Sequence, residues 1–177
     1  MSTAVANDRL VKRFEKWDTD GNGVLEAGDF QAEAARIAKN LGKQADSPEA
    51  QELVNAFQVL FEGLAERVGV SATGGISQDQ FLATTKEMLF EEGEASFNRA
   101  LGPVVNALVN VCDEDKDGHI SPVEFSSWLT AVGVPDAEAG PLFAQVDANG
   151  DGRLSEDELL RVMREFHFGT LDVELLG

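Results

Sequence analysis

Four stretches of this chain repeat one frame, and no other feature narrows its fold as far. They are DTDGNGVLEAGDF from Asp18, GVSATGGISQDQF from Gly69, DEDKDGHISPVEF from Asp113 and DANGDGRLSEDEL from Asp147. Numbered as twelve-residue loops, each has glycine at position 6 (Gly23, Gly74, Gly118, Gly152). Each has an aliphatic residue at position 8 (Leu25, Ile76, Ile120, Leu154) and an apolar residue just past position 12 (Phe30, Phe81, Phe125, Leu159). Self-similarity of this kind marks one supersecondary unit stacked on copies of itself.

The flanks of the loops read as helices. Leu10, Phe14 and Trp17 recur at helical spacing before the first loop, Leu53, Phe57, Leu60, Phe61, Leu64 and Val68 before the second, and Phe97, Leu101, Val104, Val105 and Leu108 before the third. Such stripes are core. Helix starts are signalled by Ser47-Pro48, by Asp136, and by the capping boxes Ser77/Gln80, Ser121/Glu124 and Ser155/Glu158. The predicted fold is all-α: four helix–loop–helix units in two pairs, forming one compact body. Each pair of loops is expected to meet through position 8 in a short antiparallel bridge. Residues 1–92 are expected to hold the first pair, and residues 93–177 the second pair with a C-terminal tail.

Acidic residues at loop positions 1, 3 and 5, a backbone carbonyl at 7, a frequently water-mediated position 9 and a glutamate at 12 supply the six to eight oxygens that calcium takes. Glycine at position 6 permits the bend that wraps them round the ion. The third loop meets this pattern with Asp113, Asp115, Asp117, the His119 carbonyl, Ser121 and Glu124. The fourth meets it with Asp147, Asn149, Asp151, the Arg153 carbonyl, Ser155 and Glu158. Both are predicted to bind calcium. The first loop offers Asp18, Asp20, Asn22, the Val24 carbonyl and Glu26, but ends in Asp29. Aspartate is one methylene shorter, so the loop must close more tightly, and Glu26 is available to ligate directly. A working site that discriminates less against magnesium is expected. The second loop has Gly69, Ser71, Thr73 and Gln80 at positions 1, 3, 5 and 12, and no charge with which to dehydrate an ion. It is predicted to be silent and to serve as the scaffold against which Leu25 pairs.

Composition agrees. The net charge of -18 disfavours nucleic acid and anionic membranes and favours cations. Many of the acids lie inside the loops instead of in solvated runs. The single cysteine, Cys112, excludes an intrachain disulfide and is expected as a packed thiol in a reducing compartment. No apolar segment has signal-peptide or membrane-span length, so a cytoplasmic monomer is expected.

Four such units with the second one silent resemble the sarcoplasmic calcium-binding protein group of EF-hand proteins. The stretches DRLVKRFEKWD, FEEGEASFNRALGPVV and FHFGTLDVELLG carry the likeness beyond the loops and over essentially the whole chain. The resemblance implies a cytosolic protein holding three calcium ions, with aspartate closing the first loop as a family trait.

Calcium buffering or transport is the leading expectation. Sensors expose flexible Met-rich grooves, whereas this chain has three methionines against eleven phenylalanines. A sensor with a protein target is the alternative. A luminescent oxygenase of the photoprotein type fits poorly, because the chain has no tyrosine and only His119 and His167. No nucleophile–base constellation suggests an enzyme. Finally, Leu171, Val173, Leu175 and Leu176 give the tail an apolar edge, and the tail is expected to dock instead of fraying.

Overall fold

A computed structural model describes residues 3–173 and 175. Eight α-helices carry the chain: α1 (Thr3–Trp17), α2 (Ala27–Asn40), α3 (Pro48–Val68), α4 (Gln78–Lys86), α5 (Glu94–Cys112), α6 (Pro122–Ala131), α7 (Asp136–Val146) and α8 (Glu156–Phe168). The starts follow the sequence signals. Ser47 caps α3 ahead of Pro48, and Ser77, Ser121 and Ser155 each close a capping box with the residue three places on. At α7 the cap position falls on Pro135, and Asp136 is the first helical residue. There its carboxylate accepts the Ser126 hydroxyl and sits favourably at the positive end of the helix dipole.

The loops pair as their position 8 residues require. Strand β1 (Val24–Leu25) lies antiparallel to β2 (Ile76–Ser77), with Leu25 opposite Ile76. Ile120 and Leu154 form the matching bridge in the second pair, with N–H···O distances of 2.9 and 2.8 Å in the two directions. All four aliphatic residues are fully buried. In each pair the two loops are therefore pinned to each other across a dry contact.

Below the loops the helical stripes merge into one core that spans both pairs. In the first pair it is aromatic. The Trp17 ring packs on Phe30, Phe57 and Phe81, with centroids 4.9 to 6.2 Å apart, and Phe30 reaches Phe61 at 5.3 Å. Tilted and edge-on pairs at this range add to what burial alone contributes. Helix α3 packs against α5, and α1 against α8, so the pairs meet along two helix contacts. Cys112 is buried, and burial pushes its thiol far above the ordinary range. It is a packing residue. Between α4 and α5 the backbone widens into one π-helical turn, Glu87–Glu91, which buries Met88 and Leu89.

The tail docks. Helix α8 ends at Gly169, whose left-handed backbone (φ 80°) turns the chain back. Val173 and Leu175 are each 1% exposed, and Leu171 packs against the core. The buried indole N–H of Trp128 donates to the Leu175 carbonyl at 2.9 Å. On the other side the Arg9 guanidinium donates to the Phe166 and Leu171 carbonyls and pairs with Asp172 at 3.1 Å. Residues from α1 and from α6 thus hold the same segment. Leu176, expected to share the apolar edge, lies outside the described residues.

Candidate metal centre

In the first, third and fourth loops the position 1 aspartate organises the turn before any ion is considered. Asp18 accepts the N–H groups of Asn22 at 3.1 Å and Gly23 at 2.9 Å. Asp113 accepts those of Asp117 (3.2 Å) and Gly118 (2.9 Å), and Asp147 those of Gly150 and Gly152 (both 3.0 Å). The glycine at position 6 in each loop has positive φ: 85° at Gly23, 82° at Gly118 and 83° at Gly152. That left-handed backbone is what aims the amide at the position 1 carboxylate. Position 5 then fixes position 7, through Asn22 to Val24, Asp117 to His119 and Asp151 to Arg153 at 2.8 to 3.0 Å.

The position 12 carboxylates are buried and held from both sides. Glu124 accepts the N–H of Glu114 (2.9 Å) on one oxygen and that of Ser121 (2.8 Å) on the other. Glu158 does the same with Ala148 (3.1 Å) and Ser155 (2.9 Å). Asp29, despite its shorter reach, meets both equivalent donors, Thr19 at 3.1 Å and Glu26 at 2.8 Å. Glu26 is turned toward positions 3 and 5, where the Asn22 amide bridges its carboxylate and that of Asp20.

Carboxylate oxygens of Asp18, Asp20 and Asp29 lie within 4.8 Å of one another, as do those of Asp113, Asp115 and Asp117. Oxygens that share an ion at 2.3 to 2.6 Å must lie within about 5 Å of each other, so both sets fit a calcium-sized cation. In the fourth loop the Asn149 amide takes the place of a third carboxylate. The crowding has an electrostatic signature. At Asp20 and Asp115 the amide at position 5 acts to lower each carboxyl, yet desolvation and neighbouring carboxylates leave both raised. At Asp113 burial acts to raise the carboxyl, but the Gly118 and Asp117 amides outweigh it and hold it below its ordinary range.

The second loop differs in backbone as well as in side chains. Gly69, at position 1, is the left-handed C-cap of α3 (φ 83°), where the other loops have an aspartate. With no carboxylate to receive it, the Gly74 N–H donates to the Ser71 carbonyl at 2.8 Å, and Gly74 lies outside the left-handed region. The shared glycine letter therefore does not mark a shared conformation. Gln80 uses its side-chain oxygen to cap α4 through the Ser77 N–H at 2.9 Å. Gly75 is the glycine this loop needs: a Cβ there would lie 3.1 Å from the Val24 side chain, where β2 presses on β1.

Comparison with known proteins places these loops in a lineage. A family model for an EF-hand domain pair matches residues 106–164, the span of the third and fourth loops. Over all 177 residues the chain is 55% identical to calerythrin of Saccharopolyspora erythraea, with 100% of both chains covered. The chain belongs to the calerythrin family of EF-hand proteins. It is also 30% identical to the luciferin-binding protein of Renilla reniformis, over 94% of this chain and 88% of that one. A solved calcium-binding protein of Streptomyces coelicolor superimposes with a TM-score of 0.71 at 27% identity, over 94% of this chain and 99% of its own. With calerythrin as a full-length relative, this is a calcium-binding protein, and the acidic loops are where its chemistry lies.

Within this calerythrin-type frame, three groups escaped the sequence reading. Thr19, at position 2, gives both its N–H and its hydroxyl to Asp29. The signal was its place ten residues ahead of position 12, the same offset at which Glu114 and Ala148 serve their loops. Lys116, in the left-handed region at φ 59°, reaches from the third loop to Glu49 of α3 at 3.6 Å. Arg9 shows its role only once the tail is in place.

Proposed function

We propose that this chain is an intracellular calcium buffer or transporter that holds three ions, in its first, third and fourth loops. The ligands would be Asp18, Asp20, Asn22, the Val24 carbonyl, Glu26 and Asp29 in the first loop. They would be Asp113, Asp115, Asp117, the His119 carbonyl and Glu124 in the third, and Asp147, Asn149, Asp151, the Arg153 carbonyl and Glu158 in the fourth. Bound calcium supplies the positive charge that these crowded carboxylates lack. The chain's own part is preorganisation, since the position 1 and position 12 carboxylates are already held by backbone amides. Magnesium competes at the first loop, where aspartate closes the ring.

The observation that carries the buffer reading is the docked tail. In a sensor, an apolar cleft opens to take a target helix. Here Val173 and Leu175 are buried against the core and anchored by Trp128. Met88 and Met163 are buried as well, so neither offers an exposed, flexible side chain to a target. Arg13, Trp17 and His167 line a pocket of about 30 Å³. An apolar cavity of roughly 150 Å³ is what accommodates benzene, so this one is too small for a chromophore. The sensor alternative draws support from the Streptomyces relative, which was studied for prokaryotic calcium-mediated regulation. Binding of an apolar dye, measured in excess calcium and in chelator, separates the two. A buffer gains no dye fluorescence on adding calcium. A gain on adding calcium, abolished by chelator, would establish the sensor instead.

A further inference from the structure

We infer that Thr19 confines Asp29 to single-oxygen coordination, and that this side chain is what lets the first loop tolerate magnesium. The inference rests on the reading that the first loop holds an ion, and it concerns how that ion is selected.

The three position 12 carboxylates are gripped alike by the backbone N–H groups of positions 2 and 9. They differ in the side chain at position 2, which is Thr19, Glu114 or Ala148. Of these only threonine brings a hydroxyl, and it donates to Asp29 Oδ1 at 2.8 Å, alongside the Thr19 N–H at 3.1 Å. A carboxylate oxygen offers about two lone-pair sites, so Oδ1 is filled from the protein. Oδ2 receives only the Glu26 N–H and keeps one site for a cation. Glu124 keeps one site on each oxygen. Glu158 takes a second bond on each oxygen, but a longer one: 3.3 Å from the Asn149 amide and 3.1 Å from the Ser155 hydroxyl. That hydroxyl also accepts the Glu158 N–H. The Thr19 hydroxyl bond, at 2.8 Å, is thus the shortest that any of the three carboxylates accepts from a side chain, and it acts on the side chain least able to swing.

Calcium gains from a two-oxygen contact at position 12, because it takes up to eight ligands. Magnesium is held to six in an octahedron and loses nothing when one oxygen is withheld. Thr19 is thus a positioning residue acting through Asp29. It is exposed, so exchanging it does not disturb the core.

The test compares Thr19→Val, which keeps the shape and removes the hydroxyl, with Thr19→Ser, which keeps the hydroxyl. Full-length protein is titrated with calcium chloride, then with magnesium chloride. The amide signals of Gly23, Gly118 and Gly152 are followed by NMR, because each donates to its own loop's position 1 carboxylate. Thr19→Val should raise the preference for calcium over magnesium at Gly23 by about tenfold, the worth of one hydrogen bond to a charged group. Gly118 and Gly152 should not respond to the substitution, and Thr19→Ser should match the parent. In the calcium-loaded infrared spectrum, Thr19→Val should also convert one carboxylate from one-oxygen to two-oxygen coordination. Equal preference in parent and Thr19→Val overturns the inference, as does a Thr19→Ser that behaves like valine. A parent Gly23 signal that answers neither ion overturns the three-site reading itself, which sets that failure apart from the others.

Discussion

Replacing Leu175 by alanine probes the docked tail without removing it. The side chain is 1% exposed within the core, and the Trp128 indole N–H donates to the Leu175 carbonyl. Truncating a buried leucine costs about 2 to 5 kcal/mol, the range reflecting how far neighbours relax into the gap. A central value of about 3 kcal/mol is appropriate, because the tail is a surface-bound segment that can partly collapse. For a chain of 150 to 250 residues each 1 kcal/mol moves the melting temperature by about 2 to 4 °C. The expected drop in calcium is therefore about 6 to 12 °C. There is a built-in ceiling: a weakly docked tail would detach on mutation, and the loss could not exceed its docking free energy. A calorimetric melt in calcium reads this directly. Trp128→Phe serves as a companion, since it keeps most of the ring and deletes the N–H donor, at a cost of about 1 kcal/mol. If Leu175→Ala melts within 2 °C of the parent (less than ~1 kcal/mol on the same scale), the tail does not stabilise the closed state. The buffer reading then loses its main structural support.

Other consequences are more local. Glu124→Gln places an amide where the Glu114 and Ser121 N–H groups now find two oxygens, so one donor faces another donor. Affinity at the third loop should fall by about tenfold to a hundredfold in a competitive chelator titration. A smaller loss should pass to the fourth loop through the Ile120–Leu154 bridge. Gly75→Ala pushes a methyl against Val24, and overpacking of this kind costs about 1 to 3 kcal/mol. A melt in calcium should show the drop, whereas a melt equal to the parent's would mean that the first pair does not depend on this close approach. Glu92 accepts two bonds from the Arg67 guanidinium (2.6 and 2.9 Å) and one from the Ser96 hydroxyl. First the Arg67 bonds and then the Ser96 bond lower its carboxyl from 4.5 to about 2. A depressed carboxylate stabilises above its unfolded value and loses that contribution as pH falls toward its folded one. Glu92→Gln should therefore lower the melting temperature in chelator at pH 7 and have a much smaller effect near pH 2, where the folded carboxylate is itself becoming protonated. An equal effect at both ends would rule out the ion pair as the cause.

The parts of this fold legible in the sequence are those that physics ties to single residues. Ser77, Ser121 and Ser155 announce helix starts because a hydroxyl satisfies an otherwise orphaned amide. Leu25, Ile76, Ile120 and Leu154 announce the bridges because position 8 must be apolar to be buried in one. Gly74 serves a turn, as its sequence suggests, but not the turn of the other position 6 glycines. The left-handed glycine of the other loops is held by a carboxylate five residues earlier, and Gly69 cannot supply one, so the same letter relaxes into another turn. The π turn at Glu87–Glu91 left no trace in composition, since its residues would suit an ordinary helix. The contacts of Thr19, Lys116 and Arg9 depend on partners 10, 67 and 163 residues away in sequence, so spacing rules that work within one helix or one loop reach only the first.

Three acidic loops and one scaffold loop are at the centre of the proposed function. A calorimetric titration of chelator-stripped protein with calcium, at low ionic strength and without magnesium, tests this most directly. Three equivalents per chain are predicted, because Asp18, Asp113 and Asp147 each anchor a charged ring while Gly69 anchors none. Two equivalents would show that Asp29 cannot close the first loop. Four would show that the second loop binds without a carboxylate at position 1, 3, 5 or 12, which contradicts the electrostatic argument at its root.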